Sequence, residues 1–175
     1  MGVIGTKISY DLNEKNLKEM KRLENLVYAN TCYRGMQSYS TWDGIASYCC
    51  CSKDQVRLMM GKGWYVLFAE YPDYLEVVDL CSSTHKAPIF KIIDKLHSFG
   101  KAISLDAREN TSYRILTAMA KSGRVEMFKD ETWTWGGENF HEIVLAASDN
   151  PNLEALREKY QEMYSEDLSE EGVGL

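Results

Sequence analysis

The stretch VVDLCSSTHKAPIFKIIDKLHSFGKAISLDA, residues 77–107, decides how the fold is read. It opens with β-branched residues and runs into small polar ones, as a strand does where it gives way to a loop. Pro88 is a favoured first helical residue, and Ile89, Ile92, Ile93 and Leu96 then recur at helical spacing as one apolar stripe. Gly100 ends that helix, and KAISLDA is the next strand. Strand, helix and strand predict a βαβ unit with parallel strands and a right-handed crossover. The loop before such a helix is where many enzymes hold a phosphate, because the N-terminal N–H groups of the helix point into it. Residues 79–96 contain no glycine, so side chains stand where a glycine-rich loop would let a pyrophosphate approach the main chain.

Working outward, 175 residues are enough for one domain with a real core, placed at 1–164, and too few for two ordinary ones. Residues 165–175 are read as an acidic, disordered tail. The chain is 45% hydrophobic and 26% charged, and no apolar run approaches a membrane span, so the expectation is a soluble protein with no membrane partner. A net charge of −6 gives nucleic acid no general attraction. Five cysteines, an odd number with Cys49, Cys50 and Cys51 consecutive, fit a reducing cytoplasmic compartment. No C-x-x-C pair completes a metal set around them, so buried thiols are expected and no metal site. The N-terminal Met1-Gly2 formally satisfies an acylation pattern but lacks a second anchoring signal nearby.

Before the decisive stretch, residues 3–10 read as a short strand, and Asn13 opens a helix with Leu17, Met20, Leu23 and Val27 on one face. A short helix follows from about Trp42. Ser52 and Gln55 form a capping box that predicts a helix ending near Met60, with Gly61 and Gly63 beyond it. WYVLFAEYPDYLEVVDLCS, residues 64–82, reads as an antiparallel hairpin turning at Tyr71-Pro72-Asp73. After it, Asn110 or Thr111 caps a helix through Lys121, RVEMFK and NFHEIVLAAS pair as antiparallel strands, and Pro151 starts an amphipathic helix. The fold class is α/β, of the α+β kind: a mixed, mostly antiparallel twisted sheet with a central βαβ crossover.

This order, with VVDLCSS before the crossover helix and LDARENTSYRILTAMAKSG before the last hairpin, resembles the GCN5-related N-acetyltransferase (GNAT) family. The likeness spans about residues 3–148 and is concentrated in residues 74–148. It implies an acetyl-CoA donor lying between two splayed strands, with its pyrophosphate on a Q/R-x-x-G-x-G/A loop. Here that loop is divergent: Thr84, Ala87 and Ile89 stand at the motif positions. The resemblance implies Leu80, Ser82, His85, Lys86, Asn110 and Ser112 as cofactor contacts, with His85 and Lys86 supplying donors in place of glycine N–H groups. The family's usual tyrosine, which protonates the CoA thiolate, is replaced by Met119, and Tyr113 is the nearest alternative. A narrower likeness is to GNAT-like internal virion proteins of short-tailed phages, which also begin this helix with Asn-Thr-Ser. It would place the chain in a host cytoplasm or a virion.

Acetyl transfer to an amine, on a small molecule or a protein, needs a base for the ammonium proton and an acid for the thiolate. Glu76 is the leading base. Simple alternation puts Asp79 on the opposite strand face, so only one of the two could face a cleft. Cys81 reads as a buried thiol, and His141 as a satisfied polar residue. Trp133 and Trp135 share one strand face beside a Gly136-Gly137 turn, where they could line an acceptor pocket, stack a base, dock a protein partner or cover the core. The reading from these residues is an N-acyltransferase with Glu76 and Tyr113 as base and acid. The alternative is a GNAT-derived binding or structural protein without turnover, which the missing glycines and Met119 favour.

Overall fold

The structure, a computed structural model, describes residues 7–29, 35–83 and 89–173, with side chains in the last segment described through Met163. His85 and Lys86 therefore lie outside the described residues. The architecture is mixed α/β, with six strands and five α-helices among the described residues. The chain divides into two compact units, Met1–Ile92 and Ile93–Leu175.

In the first unit, α1 (Glu14–Val27) begins where the Asn13 side chain accepts a 2.8 Å bond from the Asn16 N–H. Its stripe of Leu17, Met20 and Leu23 is buried. α2 (Trp42–Tyr48) starts in the same way, on the Thr41 hydroxyl. The strands β1 (Val56–Gly61), β2 (Trp64–Glu70) and β3 (Tyr74–Ser82) form an antiparallel meander. The core gathers Leu17, Met20, Leu23, Trp42 and Ile45 from the helices against Val56, Leu58, Met60, Tyr65 and Leu67 from the sheet.

Two expectations change here. The helix expected after Ser52 is a strand, and the capping box is real but closes only a 3-10 turn at Lys53–Gln55. Leu58, Met59 and Met60 are all buried in succession. A helix with one apolar face could not bury three consecutive side chains, whereas a strand covered on both faces can. Of the strand expected at residues 3–10, residues 3–6 are outside the described set, and Ser9 forms a single antiparallel bridge to Met60.

The boundary between the units falls within α3 (Ile89–His97), which Gly100 follows at φ +73°. The second unit continues with β4 (Ala102–Arg108), α4 (Ser112–Lys121), β5 (Val125–Trp135), β6 (Glu138–Ala147) and α5 (Leu153–Val173). Its strands take the order β4-β6-β5 and both pairings are antiparallel. The hairpin turns on Gly136 and Gly137 at φ +60° and +78°, a geometry that glycine adopts without steric cost. Ile103, Leu105, Leu116, Met119, Ile143 and Leu145 are buried. Met119 thus packs inward at the position where the family resemblance places a tyrosine. α5 continues through Val173, past the helix end expected at Ser165.

Candidate functional site

β3 contains an irregularity that alternation alone does not reveal. Leu67 pairs with Asp79 and Phe68 with Val77, so Val78 is an extra residue, a β-bulge. Beyond the bulge the facing of every side chain is reset. Ala69 pairs with Glu76, and directly opposed residues share a face. Tyr65, Leu67 and Ala69 alternate along β2 on one side, so Asp79 and Glu76 both lie on that side. The expectation that only one of these carboxylates could serve a given face is overturned by this single inserted residue.

That face carries a concentration of protonatable groups. The Tyr65 hydroxyl donates a 2.7 Å hydrogen bond to Asp79 Oδ2. Glu24 of α1 is fully buried and accepts a 3.1 Å bond from Gln37 Nε2. Burial pushes the Asp79 carboxyl up to about 7, the negative charge of Glu24 adds to the shift, and the Tyr65 hydroxyl partly offsets it. Protein atoms crowd the carboxyl group although the residue as a whole keeps partial solvent access. Cys81 is buried and its thiol is pushed up to about 12, chiefly by burial and then by Asp79. It is a protonated core thiol rather than a nucleophile. Cys49 is likewise pushed up to about 12 by burial, whereas Cys50 is exposed and Cys51 partly so.

Of the expected cofactor contacts in this unit, the Leu80 carbonyl accepts a 3.1 Å bond from the Tyr28 hydroxyl, and Ser82 ends β3 opposite Trp64. In the second unit Asn110 is exposed just before α4, and Ser112 is its first residue. The preceding Thr111 makes no side-chain cap bond.

Tyr113 is held in a cluster that sequence reasoning missed. Its hydroxyl donates to Asp130 Oδ2 at 2.6 Å, and its ring stacks on His141 with centroids 3.6 Å apart. Asp130 Oδ1 lies 2.7 Å from His141 Nδ1, so one carboxylate holds both rings. The hydrogen bond to Asp130 pushes the Tyr113 phenol up to about 12, with burial contributing next. His141 is buried, and its Nε2 is 3.6 Å from Glu109 Oε1. The signal lay in the turn: counting back from Gly136-Gly137 puts Asp130 and His141 on one face as diagonal neighbours. Trp133 and Trp135 occupy the other face of the hairpin and are 38% and 45% exposed. They do not cover a core.

No family model matches the sequence, and no curated protein matches it. Solved structures match in fold. An acetyltransferase assigned in Staphylococcus epidermidis aligns with a TM-score of 0.56 at 11% identity, covering 81% of this chain and 98% of its own. The ribosomal-protein-S18-alanine N-acetyltransferase of Escherichia coli gives 0.53 at 13% identity, covering 81% and 93%. The protein yncA of Salmonella typhimurium, assigned as an acetyltransferase and solved with its cofactor acetyl-CoA, gives 0.51 at 9%, covering 82% and 94%. The chain therefore has the GNAT fold. Among the described residues no helix is long and apolar enough to cross a membrane.

Proposed function

We propose that this chain is an N-acyltransferase that moves an acetyl group from acetyl-CoA to an amine of a small molecule or a protein. The observation that carries the reading is the pair of carboxylates that the bulge puts on one face of β3, Glu76 and Asp79, the latter held by the Tyr65 hydroxyl at 2.7 Å and pushed up by burial toward the range where a carboxyl can exchange a proton near neutrality. The fold supports the reading. For the donor the family resemblance implies Leu80 and Ser82 at the end of β3 and, in the second unit, Asn110 and Ser112 at the start of α4, where Thr111 makes no side-chain cap bond. His85 and Lys86 complete the proposed set. Acetyl-CoA, when bound, supplies the acyl group as an activated thioester.

In this reading Asp79 Oδ2 accepts the proton of the acceptor ammonium, and the Tyr65 hydroxyl orients the carboxylate through its 2.7 Å bond. Glu76, on the same face, is the second carboxylate for the acceptor amine. Tyr113 is the acid, its proton held against Asp130 until a stronger base approaches. The test is steady-state acetyl transfer to a panel of amines by the wild type, Asp79→Asn and Glu76→Gln. Asp79→Asn should lower kcat by about a hundredfold or more with acetyl-CoA binding unchanged. Unchanged turnover in that variant would remove Asp79 from the mechanism.

A second reading, a GNAT-fold binding or structural protein without turnover, is favoured by two observations. Met119 is buried where the family places its tyrosine, and the Tyr113 hydroxyl is engaged by Asp130. Wild-type protein that binds acetyl-CoA yet acetylates none of the amines would support it.

A further inference from the structure

The ten residues Asp130–Asn139 are all exposed and form the outer part of the β5–β6 hairpin. They include three carboxylates and two tryptophans and no lysine or arginine. The pairing register adds a second feature. Glu142 of β6 lies directly opposite Glu131 of β5 on one side and Asp106 of β4 on the other, so three carboxylates form a row across three adjacent strands. Like charges placed directly opposite each other destabilise a sheet. Lys129 answers this row from one end, 3.0 Å from Glu142 and 3.7 Å from Glu131. The row lies on the same face as the tryptophans. Trp133 donates its indole N–H to Asp106 Oδ1 at 3.0 Å and stacks on Phe140 with centroids 4.5 Å apart, which fixes a flat aromatic shelf beside the carboxylates. Glu138, opposite Trp135, adds a fourth carboxylate, with Arg108 at 3.8 Å.

We infer that this face of the β5–β6 hairpin docks a lysine- or arginine-rich polypeptide segment. Cationic side chains meet the carboxylate row and relieve its repulsion, while guanidinium planes and aliphatic stems lie over the indoles. Neighbouring strands are about 4.8 Å apart, so the row spans roughly 10 Å, and side chains two residues apart on an extended peptide, about 7 Å, reach different carboxylates. A polypeptide fits better than a small polyamine because β5 ends the strand order of its unit and offers main-chain groups along an edge. The inference is independent of acyl transfer, because its test reads binding alone.

The test is fluorescence anisotropy of a labelled nine-residue peptide of alternating arginine and serine, titrated with the full chain. A matched glutamate–serine peptide and spermidine serve as comparators. The arginine peptide should bind, more weakly as salt rises, and the glutamate peptide should not. Asp106→Asn with Glu131→Gln, and separately Trp135→Ala, should weaken binding by about tenfold or more, the scale of lost charge and aromatic contacts at an interface. Glu14→Gln, an exposed change on α1, should leave it unaltered. Glu131→Gln alone, at an exposed position, keeps the test readable should the double variant fail to fold. An arginine peptide that does not bind, that binds all variants equally, or that spermidine displaces with equal affinity would overturn the assignment.

Discussion

Asp79 joins the chemistry of the proposed site to the stability of the chain. Its folded carboxyl sits at about 7, above the usual unfolded value near 3.9, because burial disfavours the charged form. Between these values the folded state holds a proton that the unfolded state has released. Stability contributed by this group is therefore present below about pH 4 and is lost as pH rises through about 7. The loss is roughly 1 to 4 kcal/mol, since each tenfold change in proton affinity corresponds to about 1.4 kcal/mol. Asp79→Asn should flatten this part of the stability profile, and the variant should be at least as stable as the wild type at pH 8. Urea melts at intervals from pH 4 to 8 check it, and an unchanged slope would mean that Asp79 is not the group responsible. Residue by residue, Asp79 and Glu76 were visible in the sequence as strand carboxylates. Their common face was not, because a bulge is one unpaired residue and leaves no mark in a run such as LEVVDLC. The Asp130–His141–Tyr113 cluster was recoverable from the glycine turn, but only by carrying the register back along the whole hairpin.

Among the elements, hairpins read well and a capping signal misled. Tyr71-Pro72-Asp73 and Gly136-Gly137 each reverse the chain where turn chemistry requires, with the first closed by Tyr71 N–H donating to the Tyr74 carbonyl at 2.9 Å. Ser52 and Gln55 also make their capping bond, with Ser52 N–H donating to Gln55 Oε1 at 3.0 Å. What the box could not convey is how far the helix runs, because Val56–Gly61 gains more by pairing with β2 than by continuing a helix. The β5–β6 hairpin permits a sharp prediction. Removing a large aromatic from a core costs about 3 to 5 kcal/mol. Trp133 and Trp135 are 38% and 45% exposed, so truncation should cost less. Trp133→Ala loses the stack on Phe140 and the bond to Asp106 and should cost about 1 to 2 kcal/mol. Trp135→Ala should cost less than about 1 kcal/mol. Denaturant melts of the two variants decide it, and a loss above about 3 kcal/mol in either would mean that the hairpin face is packed rather than open.

For the molecule as a whole, the order of strands and helices in residues 74–148 was legible because each element carries its own periodicity and stop signal. The GNAT architecture followed from that order and agrees with solved structures only 9 to 13% identical. A cofactor was less legible, since the loop that would mark it carries Thr84 at the Gln/Arg position and Ala87 and Ile89 at the glycine positions. A ligand that binds only the folded chain stabilises it by RT ln(1 + [L]/Kd), about 2.7 kcal/mol at a hundred times Kd. Acetyl-CoA at millimolar concentration should therefore raise the melting temperature by several degrees if Kd is near 10 μM. The shift should fall when Lys86→Ala removes a charge from the divergent loop, and should persist in Asp79→Asn, whose change lies in proton transfer. Desulfo-CoA should retain most of the shift, because the nucleotide and pyrophosphate supply contacts that the thiol does not. No shift with either ligand would leave the fold in place and remove acetyl-CoA from it, turning the proposal to a protein that kept the GNAT frame for binding alone.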